Sequence, residues 1–154
     1  MVKYVILHNI RSSHNVGAIF RTSEGAGVAK IFLTGYTPAP QDRFGRPVAE
    51  ITKTSLGASE MVEWEQSAEI TPVLEKLKNE GVVIVAIEQA EKSISLFDFL
   101  PPEKVAYIFG NEITGITPDV LTECDSVVEI PMQGQKESLN VSTTAGIVLF
   151  QKPL

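Results

Sequence analysis

The chain has 154 residues, 44% of them hydrophobic, with 13 basic and 19 acidic side chains that give a formal net charge of −6. This size and apolar content predict a single domain, residues 1–154, with a complete hydrophobic core. No apolar run approaches the roughly 18 residues of a membrane helix, and the first run is too short for a signal peptide, so a cytoplasmic protein is expected. The only cysteine, Cys124, excludes an internal disulfide, and we expect it to be buried and unreactive.

The chain begins with a strand, a helix and a second strand. The expected elements are a strand at residues 3–8, a helix at 15–26 and a strand at 30–34. Ser13 or His14 is the expected cap of this helix, and Gly27 is its stop.

The next segment, residues 35–47, is rich in proline and glycine, which predicts a long loop. Its Arg43 and Arg46 make it a candidate substrate loop, because long loops in compact domains are often functional. Residues 1–55 hold seven basic and three acidic groups, whereas the remainder holds six basic and sixteen acidic groups. This asymmetry indicates one end that faces an anion and an acidic end that faces solvent.

The rest of the chain continues the alternation. The expected elements are a weak strand at 61–64, a helix at 71–78, strands at 82–87 and 105–109, a short helix from Thr117-Pro118 to near Cys124, a strand at 127–130 and a last helix at 139–151. Thr71 is the expected cap of the second helix and Gly81 its stop. The alternation predicts an α/β fold with a mainly parallel sheet and helices on both faces.

Several familiar sites are excluded by single residues. Residues 110–115 have the glycine spacing of a P-loop, but Ile116 occupies the position of the phosphate-binding lysine. Gly25 and Gly27 lie at the end of a helix, so they fail the dinucleotide fingerprint. His8 and His14 lack acidic or cysteine partners at ligand spacing, so no metal site is expected, and His8 is expected to be structural.

Three polar clusters remain, and two of them follow strands. The loops at 110–115 and 131–142 each open after an apolar strand, and ligands in open α/β sheets lie beyond the carboxyl ends of strands. The two loops are therefore expected to form one pocket. The third cluster, residues 9–22, carries Arg21 among apolar neighbours and one turn after Gly17.

Together the clusters resemble the three motifs of the SpoU/TrmH branch of the SPOUT RNA methyltransferases. The matching segments are residues 15–22 (Asn-Val-Gly-Ala-Ile-Phe-Arg-Thr), 110–115 (Gly-Asn-Glu-Ile-Thr-Gly) and 130–142 (Ile-Pro-Met-Gln-Gly-Gln-Lys-Glu-Ser-Leu-Asn-Val-Ser). The resemblance implies a SPOUT-type α/β fold with a deep C-terminal trefoil knot, a homodimer, and 2′-O-methylation of RNA ribose with S-adenosylmethionine as methyl donor.

The resemblance also implies the site residues. The residues expected at the methyl donor are Gly110, Ile130, Met132 and Leu139, and those expected to be catalytic are Asn15, Arg21, Glu112, Ser138 and Asn140. Glu88 lies outside the motifs, and we expect it to line the same pocket because it stands at the end of the fourth strand. Arg21 activates the hydroxyl in this interpretation, either as a base or as a cation that stabilises the developing alkoxide, and guanidinium chemistry favours the cation. Glu112 could orient Arg21 or Asn140, or cap a backbone turn. Ser138 and Asn140 stand at a helix start, where capping is the ordinary role.

RNA contacts are expected on the basic surface. We expect no additional N-terminal RNA-binding domain, so Arg11, Arg43, Arg46 and Lys53 are the candidate phosphate contacts. A small single-domain enzyme favours tRNA over large ribosomal RNA as substrate. The acidic remainder of the chain leaves room for an accessory protein that supplies basic surface.

Two other functions stay open. A non-catalytic RNA-binding or assembly protein could keep the knotted fold, although the intact Arg21, Glu112 and Asn140 disfavour it. A small-molecule methyltransferase could use the same pocket, and salt-dependent binding to RNA would distinguish it from an RNA enzyme.

Overall fold

A single parallel sheet organises the molecule, and the computed structural model describes residues 1–152. Within them the strands are β1 (Val2–His8), β2 (Lys30–Thr34), β3 (Glu63–Ser67), β4 (Val83–Ile87), β5 (Ile94–Ser95), β6 (Lys104–Phe109) and β7 (Ser126–Glu129). They lie in the order β3-β2-β1-β6-β4-β7-β5, and all pairings between them are parallel. The predicted mainly parallel sheet is confirmed.

Helices cover both faces of the sheet, as predicted. They are α1 (Ser13–Gly25), α2 (Ala49–Ser55), α3 (Thr71–Asn79), α4 (Pro118–Thr122) and α5 (Val141–Phe150), with a 3-10 turn at Ala58–Glu60. Among residues 1–152, none of these helices has the length and apolar character needed to span a membrane. The C-terminal trefoil knot stays a prediction.

The hydrophobic core has two layers because successive side chains of a strand point to opposite faces. In β1, Val5 and Leu7 pack in the layer that contains Ile19 of α1, whereas Ile6 packs in the layer that contains Leu74 of α3. Central strands buried on both faces read as continuous apolar runs, which is why the sequence located them well.

The helix caps differ from those expected. α1 begins at Ser13 because the Ser12 hydroxyl, not Ser13 or His14, accepts a hydrogen bond from the Asn15 amide at 3.1 Å. The α3 cap position is Ile70, because Thr71 is already helical and its hydroxyl lies 3.4 Å from a Glu123 carboxylate oxygen.

The last helix also begins later than predicted. The Asn140 side chain caps α5 by accepting from the Ser142 amide at 2.9 Å, so the first helical residue is Val141 rather than Leu139. The helix ends at Phe150, one residue before the predicted end.

Short elements were missed or displaced. The predicted strand at 61–64 is wrong in position, because Met61 follows the 3-10 turn and β3 pairs with β2 only from Glu63. β5 has two residues and α2 has seven, too few for a periodic pattern. α2 is held by tertiary packing: a Cβ on Gly17 would lie 1.7 Å from Thr54 Oγ1, so only glycine allows α1 and α2 to approach this closely.

Candidate active site

A cleft of about 590 Å³ opens where β6, β4 and β7 end side by side. Its walls are the segments that follow these strands, and the segment before α5 and one residue of α1 close it. The lining residues are Ile87–Gln89 after β4, 109–115 after β6, Glu129, Ile130 and Met132 after β7, 137–141 and Thr144 around the start of α5, and Asn15 of α1. The prediction that the two strand-end loops form one pocket is confirmed.

Asn111 shapes the loop after β6. Its Oδ1 accepts from the amides of Ile113 and Thr114, both at 2.9 Å, and its Nδ2 donates to the Asn9 carbonyl oxygen at 2.9 Å. This side chain folds the loop and ties it to the end of β1. Asn111 was not among the predicted site residues, although an asparagine directly after a strand-end glycine is typical of such turns.

Glu88 fastens the same loop from β4. Its Oε1 accepts from the Gln89 amide and its Oε2 from the Ile116 amide, both at 2.9 Å. Gly115 has φ +67°, and a Cβ there would lie 2.2 Å from Glu88 Oε2, so this position requires glycine for two reasons. Both donors to Glu88 are backbone amides, and within residues 1–152 its carboxylate forms no ion pair.

Glu112 contacts α1 rather than a catalytic side chain. Its Oε1 accepts from the Arg11 amide at 3.0 Å and its Oε2 from the Ser12 amide at 3.2 Å. Free amides and a positive dipole end are features of a helix N-terminus, so a carboxylate is stabilised there. Of the two roles considered for Glu112, this geometry matches capping and not the orientation of Arg21 or Asn140.

Asn15 and Asn140 join the first and third motifs across 125 positions of sequence. Asn140 Nδ2 donates to Asn15 Oδ1 at 3.4 Å, while Asn140 Oδ1 caps α5. Asn15 is buried, and Asn140 is exposed at the mouth of the cleft beside Ser138 and Leu139. Asn140 therefore has both the capping role and a place in the cleft.

The cleft is acidic. Among residues 1–152, four carboxylates line it, from Glu88, Glu112, Glu129 and Glu137, and no lysine, arginine or histidine does. A cationic ligand would be attracted to this cleft, and the apolar surfaces of Ile130 and Leu139 offer a place for a flat ring.

Arg21 lies outside the cleft, in a second cavity of about 660 Å³ that we call the basic groove. It is lined by His14, Ala18, Arg21 and Thr22 of α1, by Lys53, Thr54 and Leu56, and by Phe150 of α5. The expected grouping of five catalytic residues is thus incomplete within one chain, because Asn15 lines the cleft whereas Arg21 lines the basic groove.

The candidate RNA residues are not all together. Lys53 lines the basic groove with Arg21, and Arg11 is exposed at the start of α1 beside Glu112. Arg43 and Arg46 are exposed on the loop between β2 and α2, and line neither cavity.

His8 and Cys124 have structural environments. His8 Nδ1 lies 2.9 Å from Thr34 Oγ1, and burial lowers the pKa of the imidazole, which keeps it neutral. Cys124 is only half-buried, less than expected, because it follows a short surface helix. Its thiol donates to the Val120 carbonyl oxygen at 3.3 Å, and desolvation raises its pKa to about 11.

Comparison with known proteins decides the family. A sequence model described as the SpoU rRNA Methylase family matches residues 3–150. The chain belongs to this family. Members of the SpoU rRNA methylase family that resemble it include the 23S rRNA (guanosine-2'-O-)-methyltransferases RlmB of Neisseria meningitidis and Salmonella typhi, 34% and 31% identical over 147 residues. These alignments cover 96% of this chain and 56% and 58% of the relatives, so the chain spans just over half of their length.

Solved structures agree with the assignment to the SpoU rRNA methylase family. An AdoMet-bound rRNA methyltransferase from Sinorhizobium meliloti superimposes with a TM-score of 0.85 at 26% identity, over 97% of this chain and 54% of that one. The TrmH/SpoU tRNA modifying enzyme of A. aeolicus gives 0.82 at 26% identity, over 96% and 72%. The resemblance drawn from the three motifs is confirmed, and so is the SPOUT-type sheet.

Proposed function

We propose that the chain transfers a methyl group from S-adenosylmethionine to a ribose 2′-hydroxyl of RNA, and that this RNA is ribosomal. One observation carries the proposal: the cleft is lined by every residue expected to be catalytic or to bind the donor, except Arg21. The RlmB relatives are ribosomal RNA enzymes by name, so the proposal names ribosomal RNA where the sequence alone favoured tRNA.

The cleft suits the methyl donor by charge and by size. When bound, S-adenosylmethionine supplies an electrophilic methyl group on a positively charged sulfonium sulfur. The four carboxylates of the cleft favour such a cation, and about 590 Å³ falls within the usual range for small-molecule sites. The backbone after Gly110 and the side chains of Ile130, Met132 and Leu139 would hold the adenosine part.

The polar residues at the cleft mouth would position the ribose. The Asn15–Asn140 pair offers amide groups that can bind a hydroxyl, and Ser138 adds a third donor on the rim. Arg21 would stabilise the alkoxide that develops as the hydroxyl passes its proton to solvent water and its oxygen takes the methyl group, and would bind the adjacent phosphate in a bidentate manner. A guanidinium keeps its proton at neutral pH, so we assign Arg21 as a cation rather than a base.

A homodimer belongs to the proposal because it would bring Arg21 to a cleft. Exposed apolar side chains lie at or near the basic groove, from Leu56, Ile147 and Phe150. Such a patch is typical of a surface that a second copy of the chain covers. The groove is basic and the cleft is acidic, so two copies have complementary surfaces. Such a pair would place Arg21 of one protomer beside the cleft of its partner.

The dimer can be tested by mixing variants. Phe150→Glu is expected to give a monomer by light scattering, whereas Phe97→Glu, on an exposed loop outside the groove, should leave the dimer intact. Arg21→Ala and Leu139→Arg chains, each inactive alone, should regain activity when mixed, because one site of the mixed dimer has both intact residues. Activity of the Phe150→Glu monomer equal to that of wild type would contradict the arrangement.

RNA would bind through exposed cations around these sites. Arg11, Arg43, Arg46 and Lys53 are all exposed and available for phosphate contacts, and an accessory protein could add basic surface. The alternative, an RNA-binding protein without catalysis, differs from the proposal in one respect: it needs no methyl donor in the cleft.

The deciding experiment is calorimetric titration with S-adenosylmethionine and its demethylated product, followed by methylation assays on ribosomal RNA and tRNA. Leu139→Arg should abolish donor binding. The new guanidinium would fill the space of the donor and would pair with the carboxylates that otherwise attract its sulfonium. Leu100→Arg makes the same change at an exposed position that lines neither cavity, so it is the matched control and should bind. Failure of folded wild-type protein to bind either ligand would favour the non-catalytic alternative.

A further inference from the structure

The loop between β2 and α2 carries a rigid, exposed tip at residues 41–47, which we call the Phe44 tip. Asp42 organises it: Oδ1 accepts from the Phe44 amide at 2.9 Å and the Arg46 amide at 3.0 Å, and Oδ2 accepts from Arg46 Nε at 2.9 Å. These hydrogen bonds hold the pKa of the Asp42 carboxyl below its usual range, and an antiparallel bridge joins Gln41 and Pro47.

The Phe44 ring is exposed but flanked by cations. It is 65% exposed, and the guanidinium carbons of Arg43 and Arg46 lie 4.7 and 4.9 Å from its centroid. Phe97 is also 65% exposed, yet among residues 1–152 no cation lies over its ring. Exposure alone is ordinary; exposure on an ordered turn between two arginines is the feature that calls for an explanation.

The tip keeps cationic groups that an anion can reach. Asp42 binds Arg46 through Nε, and in the described part of the chain Arg43 makes no ion pair. The neighbouring Gln41 and Gly45 are exposed and offer no apolar surface. A protein partner would require a wider apolar patch, whereas one flat ring with adjacent guanidinium groups is the chemistry that binds an unstacked base and its phosphates.

The tip is tied to the cleft through the start of its loop. Tyr36 receives a hydrogen bond on its hydroxyl from Asn111 Nδ2 at 2.8 Å, and its amide donates to Asn9 Oδ1 at 3.2 Å. Phe44 follows Tyr36 by eight positions, which span at most roughly 29 Å when fully extended. One RNA strand can therefore contact both the tip and the cleft.

We propose that an unpaired nucleobase of the RNA substrate stacks on the Phe44 ring in place of a guanidinium group, while Arg43 and Arg46 bind the flanking phosphates. This inference rests on the proposed function, and it names the substrate class of the site as RNA that is single-stranded beside the methylated ribose. A base inside a duplex has both faces covered by its neighbours, so it cannot stack on Phe44. The tip selects loops and single strands for this reason.

The test measures RNA binding with variants at the tip. The probes are a short single-stranded RNA that carries the fluorescent adenine analogue aminopurine, and the same strand annealed to its complement. Wild type should quench the single strand and not the duplex. Phe44→Leu keeps an apolar side chain but removes the ring, and should weaken single-strand binding by roughly tenfold. Phe44→Trp should restore the binding and the quenching, and Phe97→Leu should behave as wild type.

Two results would overturn the inference: single-strand binding by Phe44→Leu equal to that of wild type, or an equal loss of single-strand and duplex binding. Titration with S-adenosylhomocysteine runs in parallel and should give the same affinity in all four proteins. Absence of methyl transfer by wild type would refute the proposed function alone, because the stacking result is measured by binding and needs no turnover.

Discussion

The cleft and the basic groove are similar in volume and opposite in chemistry. The cleft is lined by four carboxylates without a basic residue, and the groove by Arg21, Lys53 and His14 without an acidic one, within residues 1–152. The sequence shows only a chain that is basic at one end and acidic at the other. Folding turns this asymmetry into two adjoining sites, one suited to a cationic donor and one to an anion.

Helix α1 contributes residues to both sites. Asn15 contacts Asn140 on the cleft side, and Arg21 faces the groove six residues later, roughly 9 Å along the axis. Glu112 fixes the start of the helix from the cleft side. A change at Arg21 should therefore affect RNA binding and catalysis but leave donor binding intact.

The largest expected effect is at Arg21. Arg21→Ala should lower kcat by at least roughly a hundredfold, the usual cost of losing one preorganised group at a developing negative charge. The affinity for S-adenosylmethionine should stay unchanged, because Arg21 does not line the cleft of its own chain and, in the proposed dimer, binds the RNA rather than the donor. Single-turnover assays and calorimetry measure the two quantities. Near-full activity of Arg21→Lys would argue against bidentate phosphate binding.

The next largest effect concerns the packing of α1 on α2. Gly17→Ala should reduce the free energy of unfolding by roughly 1–3 kcal/mol, because the new Cβ meets Thr54 Oγ1 and the Ile51 carbonyl oxygen. Gly146→Ala in α5 is the matched control, since its Cβ would approach only Thr22, at 4.0 Å, and it should be neutral or stabilising. Urea denaturation compares the free energies of unfolding of the two variants. Equal values would mean that α2 shifts to accommodate the new Cβ without loss of stability.

A smaller effect is expected at Glu112. Glu112→Gln keeps an acceptor for the amide of Arg11 or Ser12 but removes the charge at the α1 N-terminus, which should cost less than about 1 kcal/mol of stability. The methylation rate should fall only as far as the start of α1 shifts, and it should not be abolished. Loss of all activity with stability intact would instead give Glu112 a direct chemical role.

The smallest effect is on the salt dependence of RNA binding. Lys53→Gln should lower the slope of log affinity against log salt by about one unit and weaken binding a few-fold, as for loss of one phosphate contact. Lys92→Gln makes the same charge change on an exposed loop outside both cavities, and should leave the slope unchanged. Titrations over a series of salt concentrations measure the slope, and identical slopes would remove Lys53 from the RNA contacts.

Sequence patterns predicted the elements that depend mainly on the residues within them. The central strands β1, β4 and β6 were found within one residue at each end, because the parts of a strand that are buried on both faces form a continuous apolar run. Ser12, by contrast, was missed as a cap since Ser12, Ser13 and His14 follow one another and each side chain can accept a hydrogen bond. α2 and β5 were missed because their stability comes from packing against distant residues.

The sequence by itself determined the family, through three motifs in order, and with it the parallel sheet, the strand-end pocket and most of its lining. Only the tertiary structure decided that Arg21 lies apart from that pocket, that Glu112 caps α1, and that Phe44 is held between two arginines. The physical reason is the sequence distance over which the interactions act. Strands and turns follow from neighbouring residues, whereas Asn15 and Arg21 of α1 reach different sites only when α5, α2 and the strand ends pack around the helix.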